Sequence, residues 1–240
     1  MSARWKSFGA SVRGPGHVRA HLPNQDYFLI KSSLFGDVAS VSDGVGSCAT
    51  SHWGAKAACR AVSHIAPKWH GAGQERDALA VAIHSSWLNF VQPFSPEESA
   101  ATCLFAIRPK RGAVTIGMLG DGLVAVLRTD GSYLELQDDK TDSFSNQTTA
   151  LTNNTASSQW QIASIEQEEC CAVLLCTDGV ADDLLPERRG DFARHIFAQS
   201  LQYDSITACR ELRRMLENWP VPKHTDDKTL VFLYRSEEKK

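Results

Sequence analysis

The sequence predicts an α+β fold, a sandwich built from antiparallel strands and helices, and three observations predict it. Four short strand-like runs follow one another between residues 101 and 137 with turn residues between them, as antiparallel neighbours do. Helix-period segments come in pairs before and after that block. A parallel βαβ fold lacks its glycine fingerprint: "GDGLVAV" (120–126) follows a strand but leads into another strand, and no Walker A loop is present.

Taken in order, "FLIKSSLFGDVASVSDG" (28–44) holds two apolar runs around a turn, which predicts a hairpin ending at Asp43. From Ser51 to Trp69, residues Trp53, Ala57, Ala61, His64 and Ile65 recur near helical spacing, with Pro67 close to the end. "QERDALAVAIHSSWLNFVQPF" (74–94) is a second helix with Leu79, Ile83, Trp87 and Phe90 on one face and Pro93 closing it. The period then changes: "ATCLFAIRP", "AVTIGMLGD", "LVAVLRTDG" and "SYLELQ" predict an antiparallel meander. Residues 138–160 are polar and read two ways, as a flexible surface insertion or as a flap over a site. "AVLLC" (172–176) is a strand, "RRGDFARHIFAQSL" and "DSITACRELRRMLENW" are helices, and "DKTLVFLYR" is a final strand with Leu230, Phe232 and Tyr234 on one side. No repeat or linker divides the chain, so one domain is expected over residues 1–240.

A chain of 240 residues buries enough surface to need no staples. Its net charge of −3 shows no global attraction to nucleic acid or anionic lipid, so neither partner is expected. No apolar run is long enough to span a bilayer, and the basic N-terminus has no apolar segment behind it, so neither a membrane span nor a secretory leader is expected. The seven cysteines form no Cys-x-x-Cys pair. Their odd number and irregular spacing predict reduced thiols in a cytoplasmic protein.

Four aspartates stand at the ends or starts of strand-like runs: Asp43, Asp121, Asp178 and Asp226. Asp26 lies just before another such run. Each one alone reads more readily as a turn residue, as Asp130 in "RTDGSY" does. Together they are carboxylates that a sheet rim can bring to one place, where they would repel unless hard divalent cations balanced them. No His/Cys cluster suggests zinc.

The ordered set "NQD", "SDGVGS", "GDG", "CTDGVADD" and "DDKT" resembles the motif series of the type 2C metal-dependent serine/threonine protein phosphatases, the bacterial branch in particular. "GASVRGPGHVRAHLPNQD" and "FSNQTTALT" are similar to segments recurrent in one bacterial group, and the resemblance runs from about Gly9 to Tyr234. It implies a four-layer α-β-β-α sandwich of two antiparallel sheets flanked by helix pairs, with two Mn²⁺ or Mg²⁺ ions at one end. Asp43 would bridge both ions, the Gly44 carbonyl would bind one, and Asp178 and Asp226 would complete the other's shell. Asp26 would hold a water on the metals, and Asp121 and Asp182, with Asp178, would hold a third, weaker ion. Asp227 takes no ligand role. The implied reaction is attack of a metal-bridging hydroxide on a phosphoserine or phosphothreonine of a protein, opposing a cognate Ser/Thr kinase, with no phosphoenzyme.

Three departures from the family pattern stand out. Many members carry an Arg four residues before the Glu/Gln of "N-E/Q-D", where it grips phosphate; here that position is His21. Arg13, His17, Arg19 and His21 are therefore alternative phosphate contacts, against the reading of a solvated basic loop. Val45 stands where some eukaryotic relatives have a His proposed as general acid, and Gln25 where Glu is frequent. The insert at 138–160 coincides with the family's flap, which makes Asn146 and Thr148 candidates for steering a phosphoprotein. Two rivals remain: a pseudophosphatase that binds phosphoproteins without turnover, and a hydrolase of small phosphate esters. No face reads as an oligomer interface, so a monomer is expected.

Overall fold

Two five-stranded antiparallel sheets stack face to face, and a pair of helices covers each outer face. The computed structural model describes residues 4–69, 76–136 and 149–236. The strands are β1 (Arg4–Val12), β2 (Tyr27–Ser32), β3 (Gly36–Ser42), β4 (Cys103–Pro109), β5 (Val114–Leu119), β6 (Leu123–Arg128), β7 (Tyr133–Leu136), β8 (Gln161–Ile165), β9 (Cys170–Cys176) and β10 (Lys228–Ser236). The helices are α1 (Pro15–Arg19), α2 (Ser51–Ile65), α3 (Arg76–Phe90), α4 (Asp178–Ala181), α5 (Arg189–Ser200) and α6 (Ser205–Glu217). One sheet has the order β1-β10-β9-β6-β7 and the other β2-β3-β4-β5-β8.

Because side chains alternate along a strand, a central strand buried on both faces feeds two cores. Leu230, Phe232 and Tyr234 of β10 pack under α5 and α6, while Val231 and Leu233 between them face the opposite sheet. In β4, Cys103, Phe105 and Ile107 pack under α2 and α3, while Leu104 and Ala106 face inward. Small residues on α2 (Ala57, Ala58, Ala61) allow it close onto its sheet. On α6, Asp204 caps the N-terminus by accepting from the Ile206 and Thr207 N–H groups, both at 2.9 Å, and Ala208, Leu212 and Leu216 form the buried stripe.

The expected four-strand meander is corrected by the structure. β4 and β5 lie in one sheet and β6 and β7 in the other, so the chain crosses the sandwich between β5 and β6. It does so at Gly120-Asp121-Gly122, where both glycines take positive φ (93° and 112°), a conformation costly for other residues. Strand β1, absent from the sequence reading, forms by pairing along its whole length with β10, from Arg4 opposite Ser236 to Val12 opposite Lys228. Of the polar insert, residues 149–160 are anchored by buried Leu151 and Trp160 against the core beneath α2 and α3. Residues 137–148, with Asn146 and Thr148, lie outside the described residues. All seven cysteines are free thiols. No helix among the described residues is long and apolar enough to cross a membrane.

Candidate active site

Strand register brings the aspartates together. Tyr27 pairs with Ser42, so the next step along the β2–β3 hairpin sets Asp26 beside Asp43. Leu123 pairs with Cys176, so two further residues set Asp121 beside Asp178. Leu230 also pairs with Cys176, which brings the residues before β10, Asp226 included, to the same end. One rim of the sandwich thus collects Asp26 and Asp43 from one sheet and Asp121, Asp178 and Asp226 from the other.

A cavity of about 260 Å³ opens there, lined by Asp43, Asp121, Asp178 and Asp226 together with His17, Gln25, Gly44, Val45, Gly46 and Thr102. Gly44 is held by its N–H donating to the Gln25 carbonyl at 3.2 Å and by a bridge to Ala101. Asp43 is fixed by its backbone: its N–H donates to Thr102 Oγ1 at 2.9 Å, and its carbonyl accepts from the Thr102 N–H at 2.8 Å. The Thr177 hydroxyl donates to Asp26 Oδ2 at 2.8 Å and in turn accepts from the Thr229 N–H at 3.1 Å. Asp178 Oδ1 accepts from the Gly179 N–H at 2.7 Å.

The crowding shows in the ionisation of these groups. Burial, then the charges of Asp26, Asp178 and Asp226, pushes the Asp43 carboxyl well above its usual range. Burial pushes Asp26 up to about 6, opposed by its hydrogen bonds with Asp43, Thr229 and Thr177. Asp178 is pushed up to about 7 by burial and by the charges of Asp121, Asp226 and Asp26. Among the described residues, no lysine or arginine lines the cavity. Lys228 is buried nearby, but its amine donates to the Asp226 carbonyl at 3.3 Å and lies 4.0 Å from Asp183.

These donors fit divalent cations of the Mg²⁺ or Mn²⁺ kind: they are carboxylate oxygens, and burial and mutual repulsion raise Asp26, Asp43 and Asp178. Among the described residues, no group of three or more His, Cys, Asp or Glu side chains already stands in position to hold a metal ion. The fit is therefore one of donor chemistry.

The remaining sequence candidates fall around this cavity. Asp182 lines an adjoining cavity of about 200 Å³ with Asp183, Lys223, His224 and Lys228; the two cavities share Asp178 and Asp226. His17 is on the main cavity wall, whereas Arg13, Arg19 and His21 are exposed and do not line it. Arg13 instead donates to the Leu22 carbonyl at 3.2 Å. Asp227, given no role from the sequence, is 1% exposed and ties the site together. It accepts from the Gly14 and Gln25 N–H groups, both at 2.6 Å, and from His17. The doubled aspartate in "DDKT" was the available signal, as was the hydroxyl of Thr177 in "CTDG".

Gly14 has no room for a side chain: a Cβ there would lie 2.2 Å from the Asp226 backbone carbon. Gly14→Ala is expected to lower the melting temperature by roughly 5 °C or more, as overpacking does, and to reduce activity by shifting Asp226. Calorimetry beside an activity assay checks this; an unchanged melting temperature would refute the close packing.

A family model described as protein phosphatase 2C matches residues 13–217. Comparison with curated protein sequences returns no match. Among solved structures, a bacterial serine phosphatase superposes with a TM-score of 0.69 at 12% identity, over 99% of this chain and 100% of that one. The serine/threonine phosphatase Stp1 from Staphylococcus aureus gives 0.67 at 12% identity, over 99% and 97%. The catalytic domain of the serine/threonine protein phosphatase PstP, in complex with two manganese ions, gives 0.63 at 17% identity, over 98% and 100%. At these identities the likeness is one of fold.

Proposed function

The chain belongs to the protein phosphatase 2C family, and from that premise we propose that it is a metal-dependent phosphatase acting on phosphoserine and phosphothreonine in proteins. The observation that carries this reading is the convergence of Asp43, Asp121, Asp178 and Asp226 on one open cavity. Asp43, the Gly44 carbonyl, Asp178 and Asp226 would hold two Mn²⁺ or Mg²⁺ ions, and Asp121 with Asp182 would hold a third, weaker one. Two such ions supply an acidified water as nucleophile near neutral pH and positive charge against the phosphate oxygens.

The chain's own residues prepare the geometry. Thr177 holds the buried Asp26 carboxyl against Asp43, just behind the cavity lining, where Asp26 would orient the attacking water. Thr102 pins the Asp43 backbone from both directions, which fixes the point on the strand end from which its carboxylate projects. The exposed segment of Arg13, Arg19 and His21 offers basic side chains to the phosphoprotein beyond the cavity rim. The partners that follow are a phosphoprotein substrate and a Ser/Thr kinase that makes it.

Hydrolysis of a phosphothreonine peptide is expected with Mn²⁺ and is expected to stop with excess EDTA. Folded protein that binds the peptide but releases no phosphate at any metal concentration would instead favour a phosphoprotein-binding pseudophosphatase.

A further inference from the structure

Val45 stands on the cavity wall where it can give no proton, and among the described residues the ionisable groups lining the cavity are the carboxylates Asp43, Asp121, Asp178 and Asp226, with one exception. The exception is His17, on α1. Its Nδ1 lies 2.8 Å from Oδ2 of Asp227, and its side chain is 19% exposed. Asp227 is itself immobilised, Oδ1 by the Gly14 N–H and Oδ2 by the Gln25 N–H. A carboxylate held by two N–H donors is an acceptor, so the ring nitrogen facing it carries hydrogen and Nε2 is the nitrogen left for the cavity. A buried carboxylate behind one imidazole nitrogen, with the reacting oxygen before the other, is the arrangement in which histidine moves protons in catalysis.

We propose that His17 is the proton donor to the departing seryl or threonyl oxygen and that Asp227 is its positioning residue. The proposal rests on the phosphatase reading above. The attacking water has already released one proton to solvent, and its oxygen forms the new bond to phosphorus as the bond from phosphorus to the side-chain oxygen breaks. The electron pair of the broken bond stays on the side-chain oxygen, which takes the Nε2 proton of the His17 imidazolium and departs as the alcohol, leaving a neutral ring with its hydrogen on Nδ1. The half-buried ring then regains a proton from solvent, and no further reactant is consumed.

The test compares leaving groups. A threonyl oxygen is strongly basic and needs a proton as it leaves, whereas 4-nitrophenolate leaves without one. His17→Ala and His17→Gln are expected to lower kcat on a phosphothreonine peptide by about 100-fold and to change kcat on 4-nitrophenyl phosphate by less than about 3-fold. Asp227→Asn should show the same selectivity with a smaller loss, about 10-fold on the peptide; a purely structural role would lower both substrates together. His17→Gln keeps a donor toward Asp227, so circular dichroism and melting on this variant separate lost chemistry from lost fold. Equal losses on both substrates, or no loss on either, would sink the proton-donor role while leaving the phosphatase reading intact. A metal-loaded wild type that turns over neither substrate would sink that reading, and the donor role with it.

Discussion

Asp178→Asn is expected to cut phosphopeptide hydrolysis by on the order of 10³-fold or more while the protein stays folded. Asparagine has the same shape and keeps an oxygen to accept the Gly179 N–H, so the turn into α4 survives. It removes a negative donor from the group that would hold the cations. It also removes a charge the fold pays to bury, since burial and the neighbouring aspartates push Asp178 up to about 7. The metal-free variant should therefore melt no lower than wild type near pH 8. The control is another Asp-Gly pair, Asp130-Gly131. Asp130 is exposed in a turn where its Oδ1 accepts from the Ser132 N–H at 2.8 Å, and Asp130→Asn is expected to leave turnover unchanged. Phosphate release and melting curves on both variants decide the matter. Activity near wild type in Asp178→Asn would overturn the ligand assignment, and an equal loss in both would point to general damage.

That contrast also shows what a sequence can and cannot carry. The dipeptide is the same at 130 and 178; what differs is that Asp178 ends a strand whose register places Asp121 and Asp226 around it. Period-2 alternation in "DKTLVFLYR" was enough to assign Leu230, Phe232 and Tyr234 to one face, because alternation is a local property. The split of the meander was not legible, since strands in either sheet share the same period and only the glycines at 120 and 122 hint at a crossing. β1 escaped notice because "RWKSFGASV" has few large apolar residues and owes its form to β10, more than 200 residues later. The same distance hid Asp227. The three hydrogen bonds of its side chain reach Gly14, His17 and Gln25, and no spacing rule links those positions. Four basic residues were equal candidates beside the site, and it took Asp227 to distinguish His17 from Arg13, Arg19 and His21.

The metal-free protein is expected to lose stability as pH rises from 5 to 8, and divalent cations are expected to restore it. Asp26 and Asp178 sit at about 6 and about 7 in the folded chain against an ordinary value of 3.8, and Asp43 is displaced in the same direction. Groups raised on folding bind more protons in the folded state than in the unfolded one across the interval between the two values. Their contribution is intact below about pH 4 and is lost as pH climbs through 6 and 7. His52 and His224, both lowered by partial burial, act in the opposite sense over the lower part of this window. They are single weakly buried rings, whereas the carboxylates are mutually repelling, so the carboxylates set the sign. From pH 5 upward Asp26 contributes about 1 pH unit and Asp178 about 2; at about 1.4 kcal/mol per unit and about 2–4 °C per kcal/mol for a chain of this size, the melting temperature should fall by roughly 8–17 °C. Millimolar Mn²⁺ should recover most of that at pH 8 and little at pH 5, where protons compete for the same oxygens. Asp178→Asn should flatten the profile. Scanning calorimetry on EDTA-treated protein, with and without Mn²⁺, reads this without any substrate. A metal-free protein as stable at pH 8 as at pH 5, or one indifferent to Mn²⁺, would mean that these carboxylates do not form the cation site argued here.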